Sequence, residues 1–329
     1  MQTPQKLLTI YILAGGGNEE WLLKSANSIA TQIDDLPIAL VISINTPEIS
    51  PLELASKVDK RIQIRSEPLR IPAHLHLRHC ADACKSQYIM LFHDDDLIAR
   101  GYLKTAIALL ESASPDLLTS DMQFFSDSSQ DHEALEKLHK RRRKHVETIT
   151  REELIIRMMR GDSINFASCI YRTKNLQTCR NFELSKLFGK YADRPLMLES
   201  AGRAGRVLHC TGGTVFTRIH GSQDSQQHDA MAANKRSALL TYYRHELEAM
   251  SYPLDRYWLY ACWRALHDCM KLSEWVAIAC MKTNDNSKAI SLEGIAYWTA
   301  RMSKEATVAA ILRFLGTKHR KTYGEELIN

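Results

Sequence analysis

No pair among the eight cysteines of this 329-residue chain has the CxxC spacing of a redox or metal site. Cys80 and Cys84 would share one helical face, but no second pair in metal-ligand spacing joins them. Cys169, Cys179, Cys210, Cys262, Cys269 and Cys280 are scattered. Buried, reduced thiols of a cytoplasmic protein are therefore expected. No uncharged apolar run approaches the roughly 20 residues that a membrane-spanning helix needs. The opening "MQTPQKLLTIYIL" has one lysine, a short apolar run and no small-residue cleavage site, which argues against a secretory signal. No internal repeat is present. The net charge is only +5, with 45% hydrophobic and 25% charged residues. That balance excludes a disordered chain and does not call for nucleic acid. It suits acidic ligands, and it leaves open a peripheral contact with the inner face of a membrane.

What is present reads as alternating strands and helices. "LLTIYIL" (7–13), "IALVISI" (38–44) and "YIMLF" (88–92) are short, apolar and rich in β-branched residues, as strands buried on both faces are. "RIQIRSE" and "DLLTSDM" add two more strands. Helical spacing marks 19–32, "PLELASKV", 74–86 and 101–112. This order predicts an α/β fold, a mostly parallel sheet with helices on both faces. Such sheets bind ligands outside the carboxyl ends of their strands. The glycines after the first strand and the aspartates after the fourth should therefore be neighbours in space. Residues 126–150 are polar and contain "HKRRRKH" (139–145), read as a surface loop and helix. "REELIIRMMRGD" is helical, "SINFASCIYR" strand-like, and 205–221 is expected to hold two short strands. From about 230 the chain reads as helices, with Trp258, Trp263, Trp275 and Trp298 mostly in their core. Arg313, Lys318, Arg320 and Lys321 near the end would suit anionic lipid.

The densest chemistry lies in "HDDDL", His93 to Leu97. Three consecutive carboxylates repel one another unless something positive sits among them. Fixed at the end of a buried strand, they cannot spread into solvent. Carboxylate oxygens suit Mg²⁺ or Mn²⁺, and Mg²⁺ commonly joins one or two carboxylates to substrate phosphates. The competing reading has Asp96 capping the next helix.

"YIMLFHDDDLIARGYL" resembles the strand and DXD motif of the family 2 glycosyltransferases, which have the GT-A (Rossmann-like) fold. Two later stretches extend the resemblance. "KYADRPLMLESAGRAGRV" (190–207) is similar to the segment that carries the family's catalytic aspartate. "FTRIHGSQDSQ" (216–226) is similar to its late Arg-Ile-His-Gly motif. The resemblance spans about residues 7–226. It implies a GT-A domain over 1–228 and a C-terminal helical region over 229–329 that faces acceptor or membrane. It also implies an inverting, metal-dependent transfer from a UDP- or GDP-type sugar to a glycan or lipid-linked acceptor hydroxyl. Carried over residue by residue, Asp95, Asp96 and His220 would hold Mn²⁺ or Mg²⁺. Ala14, Gly15, Gly16, Asn45, Asp94, Asp96 and Arg218 would hold the donor, and Asp193 would be the catalytic base. Without the resemblance, Asp193 reads equally well as a first-turn acid of a helix with Pro195 just inside it. His93 departs from the pattern, since it stands where the family's first acidic residue often falls. Asn45 replaces an aspartate, and Ala14-Gly15-Gly16-Gly17 replaces Pro-Thr-Tyr-Asn.

Three glycines after a first strand also occur in sugar-phosphate nucleotidyltransferases. Those loops carry a basic residue after the last glycine and a Pro-Lys pair downstream. Here Asn18, Glu19 and Glu20 follow, and two carboxylates there would repel a triphosphate. A third alternative is a non-catalytic nucleotide-binding protein of the same fold. Release of nucleoside diphosphate from a donor sugar separates it from an enzyme.

Overall fold

The computed structural model describes residues 6–252 apart from 17, 127–144, 161–163, 165, 183, 203–204 and 221–231. The chain divides into two compact units, Met1–Tyr242 and Tyr243–Asn329. The expected break at 228/229, the basic run except His145, and the tryptophan-bearing C-terminal segments lie outside the described residues. Among the described residues no helix is long and apolar enough to cross a membrane.

The first unit is built on one nine-stranded sheet. Strand β1 (Leu8–Ala14) lies between β2 (Ile38–Ile44) and β4 (Tyr88–His93), parallel to both, and β2 pairs in parallel with β3 (Ile62–Ser66). The rest of the sheet comprises β5 (Leu97–Ile98), β6 (Leu117–Ser126), β7 (Val146–Ile149), β8 (Ile170–Arg172) and β9 (Val207–Ile219). The order is β3-β2-β1-β4-β8-β6-β9-β5, with β7 on β9. The parallel core carries the most apolar sequence, as strands covered on both faces must. Leu8, Ile10, Ile12, Met90 and Phe92 are wholly buried in one cluster with Leu22, Ile29 and Leu103 of the covering helices. The fold class expected from the sequence is the one found: α/β, mostly parallel, flanked by helices.

The first three strands step outward in one direction, and β4 then returns to the other side of β1. The strand order therefore reverses between β1 and β4. Helices on either side of such a switch diverge and leave a crevice at the carboxyl ends. Here those ends are Ala14–Gly15 and His93–Asp94. Helix α1 (Glu19–Ala30) starts at this edge. Asn18 caps it, its Oδ1 accepting the Glu20 N–H at 2.8 Å, and Glu19 and Glu20 complement the dipole in its first turn.

Three expectations are corrected. Residues 207–219 form one strand, not two. Its Gly212 takes φ +106, and the register against β6 shifts between Ser120 and Met122, so the glycine pair makes a bulge instead of a turn. Residues 146–149, read as part of a surface loop and helix, pair antiparallel with β9. In "SINFASCIYR" only Ile170–Arg172 is strand. Phe166–Ser168 is a 3₁₀ turn.

Candidate functional site

The acidic turn that ends β4 is the centre of the site, and its three carboxylates have different surroundings. Asp94 Oδ2 accepts the Gly15 N–H at 3.2 Å, which joins the fourth strand to the glycine turn across 79 residues. Burial and the charge of Asp95 push the Asp94 carboxyl up to about 6, against the opposing pull of the Gly15 amide and His93. Asp95 Oδ2 meets His220 Nε2 at 2.8 Å. Asp96 is wholly buried, and its Oδ1 accepts the Arg218 N–H at 3.1 Å. The helix that follows, α4 (Tyr102–Ala113), begins at Gly101 without a side-chain cap, so Asp96 is not its cap.

Asp96 Oδ2 is buried without a hydrogen bond. Its close neighbour is His93 Nδ1 at 3.3 Å, an ion-pair distance that lacks hydrogen-bond alignment. Burial opposes charge on His93, but Asp96, with Asp95 and Asp94 behind it, outweighs this and raises the imidazole to about 9. Ligand atoms of His93, Asp95 and Asp96 lie within 4.8 Å of one another. The ring of His93 stacks on Phe166, with centroids 6.0 Å apart and planes at 26°, and Ser25 Oγ donates to the His93 carbonyl at 3.2 Å. The end of β4 is therefore held from both sides.

Arg218 has a different place from the one the sequence suggested. A phosphate-neutralising arginine would lie open, but Arg218 is only 2% exposed. Its guanidinium lies between the rings of Trp21 and Phe125, 5.0 and 4.7 Å from their centroids, and its Nε donates to the Asp95 carbonyl at 3.0 Å. Burial lowers its pKa, while Asp95, Asp96 and Glu20 oppose that. Arg218 thus fixes the backbone of the acidic turn. The ring of Trp21 also lies 4.6 Å from that of His220. Trp21 and Phe125 were not expected at the site. Trp21 fits the apolar spacing of α1, and its position in the first turn after the glycines was the one available signal.

Asn45 likewise has a local task. Its amide donates to the Ile71 carbonyl at 2.8 Å, and its Oδ1 accepts the Ile71 N–H at 2.9 Å, so it ties down the loop after β3 instead of presenting a free edge to a nucleoside. Ala14 is buried, and its carbonyl accepts the Asn45 N–H at 2.8 Å. Gly16 takes φ +105, and a Cβ there would lie 3.1 Å from Thr46 Oγ1. Its close approach is to the chain after β2, whereas Gly15 borders open space.

Asp193 opens helix α8 (Asp193–Ala201), numbered after α2 (Pro51–Lys57), α3 (Ala73–Ala83), α5 (Arg151–Arg160), α6 (Thr173–Gln177) and α7 (Ser185–Phe188). It is a first-turn acid with a side chain one-quarter exposed, 3.7 Å from Arg194 Nε. Burial raises its pKa, and the charges of Arg194 and His93 oppose the rise.

No protein-family model matches the chain, and no curated protein matches it. Among solved structures it is similar to S. aureus TarS. The 1–349 fragment in complex with UDP-GlcNAc is 12% identical, over 73% of this chain and 72% of that one, with a TM-score of 0.49. The same fragment in complex with UDP is 13% identical over the same shares, with a TM-score of 0.45. At these values the likeness says nothing about the chemistry of the site.

Proposed function

We propose that this chain is an inverting glycosyltransferase that moves a sugar from a nucleoside-diphosphate donor, of UDP or GDP type, to an acceptor hydroxyl with a divalent cation bound. The observation that carries the reading is the junction of the Gly15 turn, the acidic turn 94–96, Arg218 and His220 at the β1/β4 switch. The donor set fits a cation. Asp96 Oδ2 is buried and without a hydrogen bond, and two carboxylates and an imidazole converge there. Such an ion, when bound, would neutralise the diphosphate as it leaves.

The protein's own groups would do the rest. Asp95 and Asp96, held by His220 and by the Arg218 backbone, keep negative charge in one place. Asp193 takes the proton from the acceptor hydroxyl as its oxygen bonds to the anomeric carbon and the bond to the diphosphate breaks. A carboxylate raised above its ordinary range is a better base near neutral pH than an unperturbed one. The acceptor class, a glycan or a lipid-linked hydroxyl, rests on the motif resemblance alone.

The nucleotidyltransferase reading loses further ground. Gly15 N–H points at a carboxylate, so this amide of the glycine turn is not offered to a phosphate. Incubation with a panel of nucleotide-sugars and Mn²⁺ tests the proposal. Slow release of UDP or GDP supports it, and pyrophosphate release from triphosphate and sugar phosphate would favour the alternative. Binding without any turnover would leave a non-catalytic protein.

A further inference from the structure

The ligand set suggested by the motifs was Asp95, Asp96 and His220. The geometry brings a different imidazole to the two carboxylates. His93, Asp95 and Asp96 offer ligand atoms within 4.8 Å of one another, and the His220 nitrogen is not part of that group. His220 instead meets Asp95 Oδ2 from the Trp21 side. A partner of that kind orients a carboxylate toward its ion without binding the ion. His93 occupies the position where the resembled motif carries an acid, so an imidazole stands where an oxygen ligand is expected.

Two further observations point to a ligand. Asp96 Oδ2 is wholly buried, makes no hydrogen bond and lies 3.3 Å from His93 Nδ1. A buried carboxylate oxygen without a hydrogen bond is costly unless positive charge completes it, and among the described residues only His93 meets this one, at ion-pair distance. The imidazole is also fixed in advance. Its ring stacks on Phe166, and its main chain is held by Ser25, while its side chain remains 41% exposed.

We propose that His93, Asp95 and Asp96 together bind one first-row transition ion such as Mn²⁺ or Co²⁺, and that His93 makes the site discriminate against Mg²⁺. The inference rests on the transferase reading only for the purpose of the ion, not for its binding. Mg²⁺ is a hard ion that prefers oxygen ligands in an octahedron and keeps its waters. Imidazole favours the later first-row ions. Replacing His93 with a carboxylate should therefore return the site toward magnesium.

The test is calorimetric titration of the full, nucleotide-free protein with Mn²⁺, Co²⁺ and Mg²⁺, and with the same ions for His93→Asp and His93→Gln. Visible absorption of the Co²⁺ form reports directly on a nitrogen ligand. Mn²⁺ and Co²⁺ should bind wild type at least about tenfold more tightly than Mg²⁺. That ratio should shrink in His93→Asp through tighter Mg²⁺ binding, and His93→Gln should weaken Co²⁺ binding and change its spectrum. Equal affinities in the wild type would overturn the inference, even if neither variant folded. So would ratios and Co²⁺ spectra unchanged in the variants. A protein that binds these ions through His93 but turns over no nucleotide-sugar keeps this inference and loses the transferase. Equally fast turnover with Mg²⁺, together with equal binding, does the reverse.

Discussion

Asp94→Asn removes one of three adjacent charges and keeps both the shape of the side chain and an acceptor for the Gly15 N–H. The wild-type carboxyl is raised from 3.8 to about 6, chiefly by burial and then by Asp95. The folded protein therefore favours the protonated form. The stability that this proton confers is complete below the unfolded value and is lost as the pH rises through about 6. A displacement of that size corresponds to about 3 kcal/mol. The side chain is partly exposed, so solvent screening reduces this to about 1–3 kcal/mol. For a unit of this size each kcal/mol moves the melting point by about 2–4 °C. In chelator, Asp94→Asn and wild type should differ least at about pH 4, and the variant should gain about 2–12 °C on wild type by about pH 8. Melting curves across that range measure the difference directly. A difference that stays constant with pH would refute the idea that crowding of negative charge destabilises the ion-free site.

Two further outcomes follow from the geometry. Arg218→Lys keeps the charge but loses the planar stack between Trp21 and Phe125, so denaturant unfolding should show a loss of about 2–3 kcal/mol at unchanged slope. A loss below about 0.5 kcal/mol would show that the sandwich does not hold the acidic turn. Asp193→Asn should bind donor as wild type does and lose at least about a hundredfold in transfer, read by calorimetry and product assay together. Retained transfer would move the base elsewhere.

The parallel core was legible because strands covered on both faces leave continuous apolar runs, and β1, β2 and β4 begin and end within a residue or two of those runs. The meeting of Gly15 with Asp94 followed from topology, since both lie at carboxyl ends in a parallel sheet. Strand β7 was not legible. Of its four residues only Ile149 is buried, so no alternation distinguishes it from a loop. Gly212 could mark a turn or a bulge, and only the pairing partner β6 decides between them. In the site, the donor and metal residues were carried over from the motif resemblance, which says nothing of how each side chain is packed. Arg218 and Asn45 were named as donor-binding from the motif resemblance, and both are buried and satisfy neighbouring backbone. Trp21 was hidden because its helical spacing matched the core stripe. His93 was visible as a departure, but the sequence could not show that it, not His220, would converge with Asp96.

The most direct test of the account is the melting temperature of the full protein with UDP or GDP, with and without Mn²⁺, beside Asp95→Asn. A ligand held at a hundred times its dissociation constant stabilises by about 2.7 kcal/mol. The account predicts a rise of several degrees with one nucleoside diphosphate, dependent on Mn²⁺ and absent in Asp95→Asn. No rise with either nucleotide, or the same rise in the variant, would contradict it.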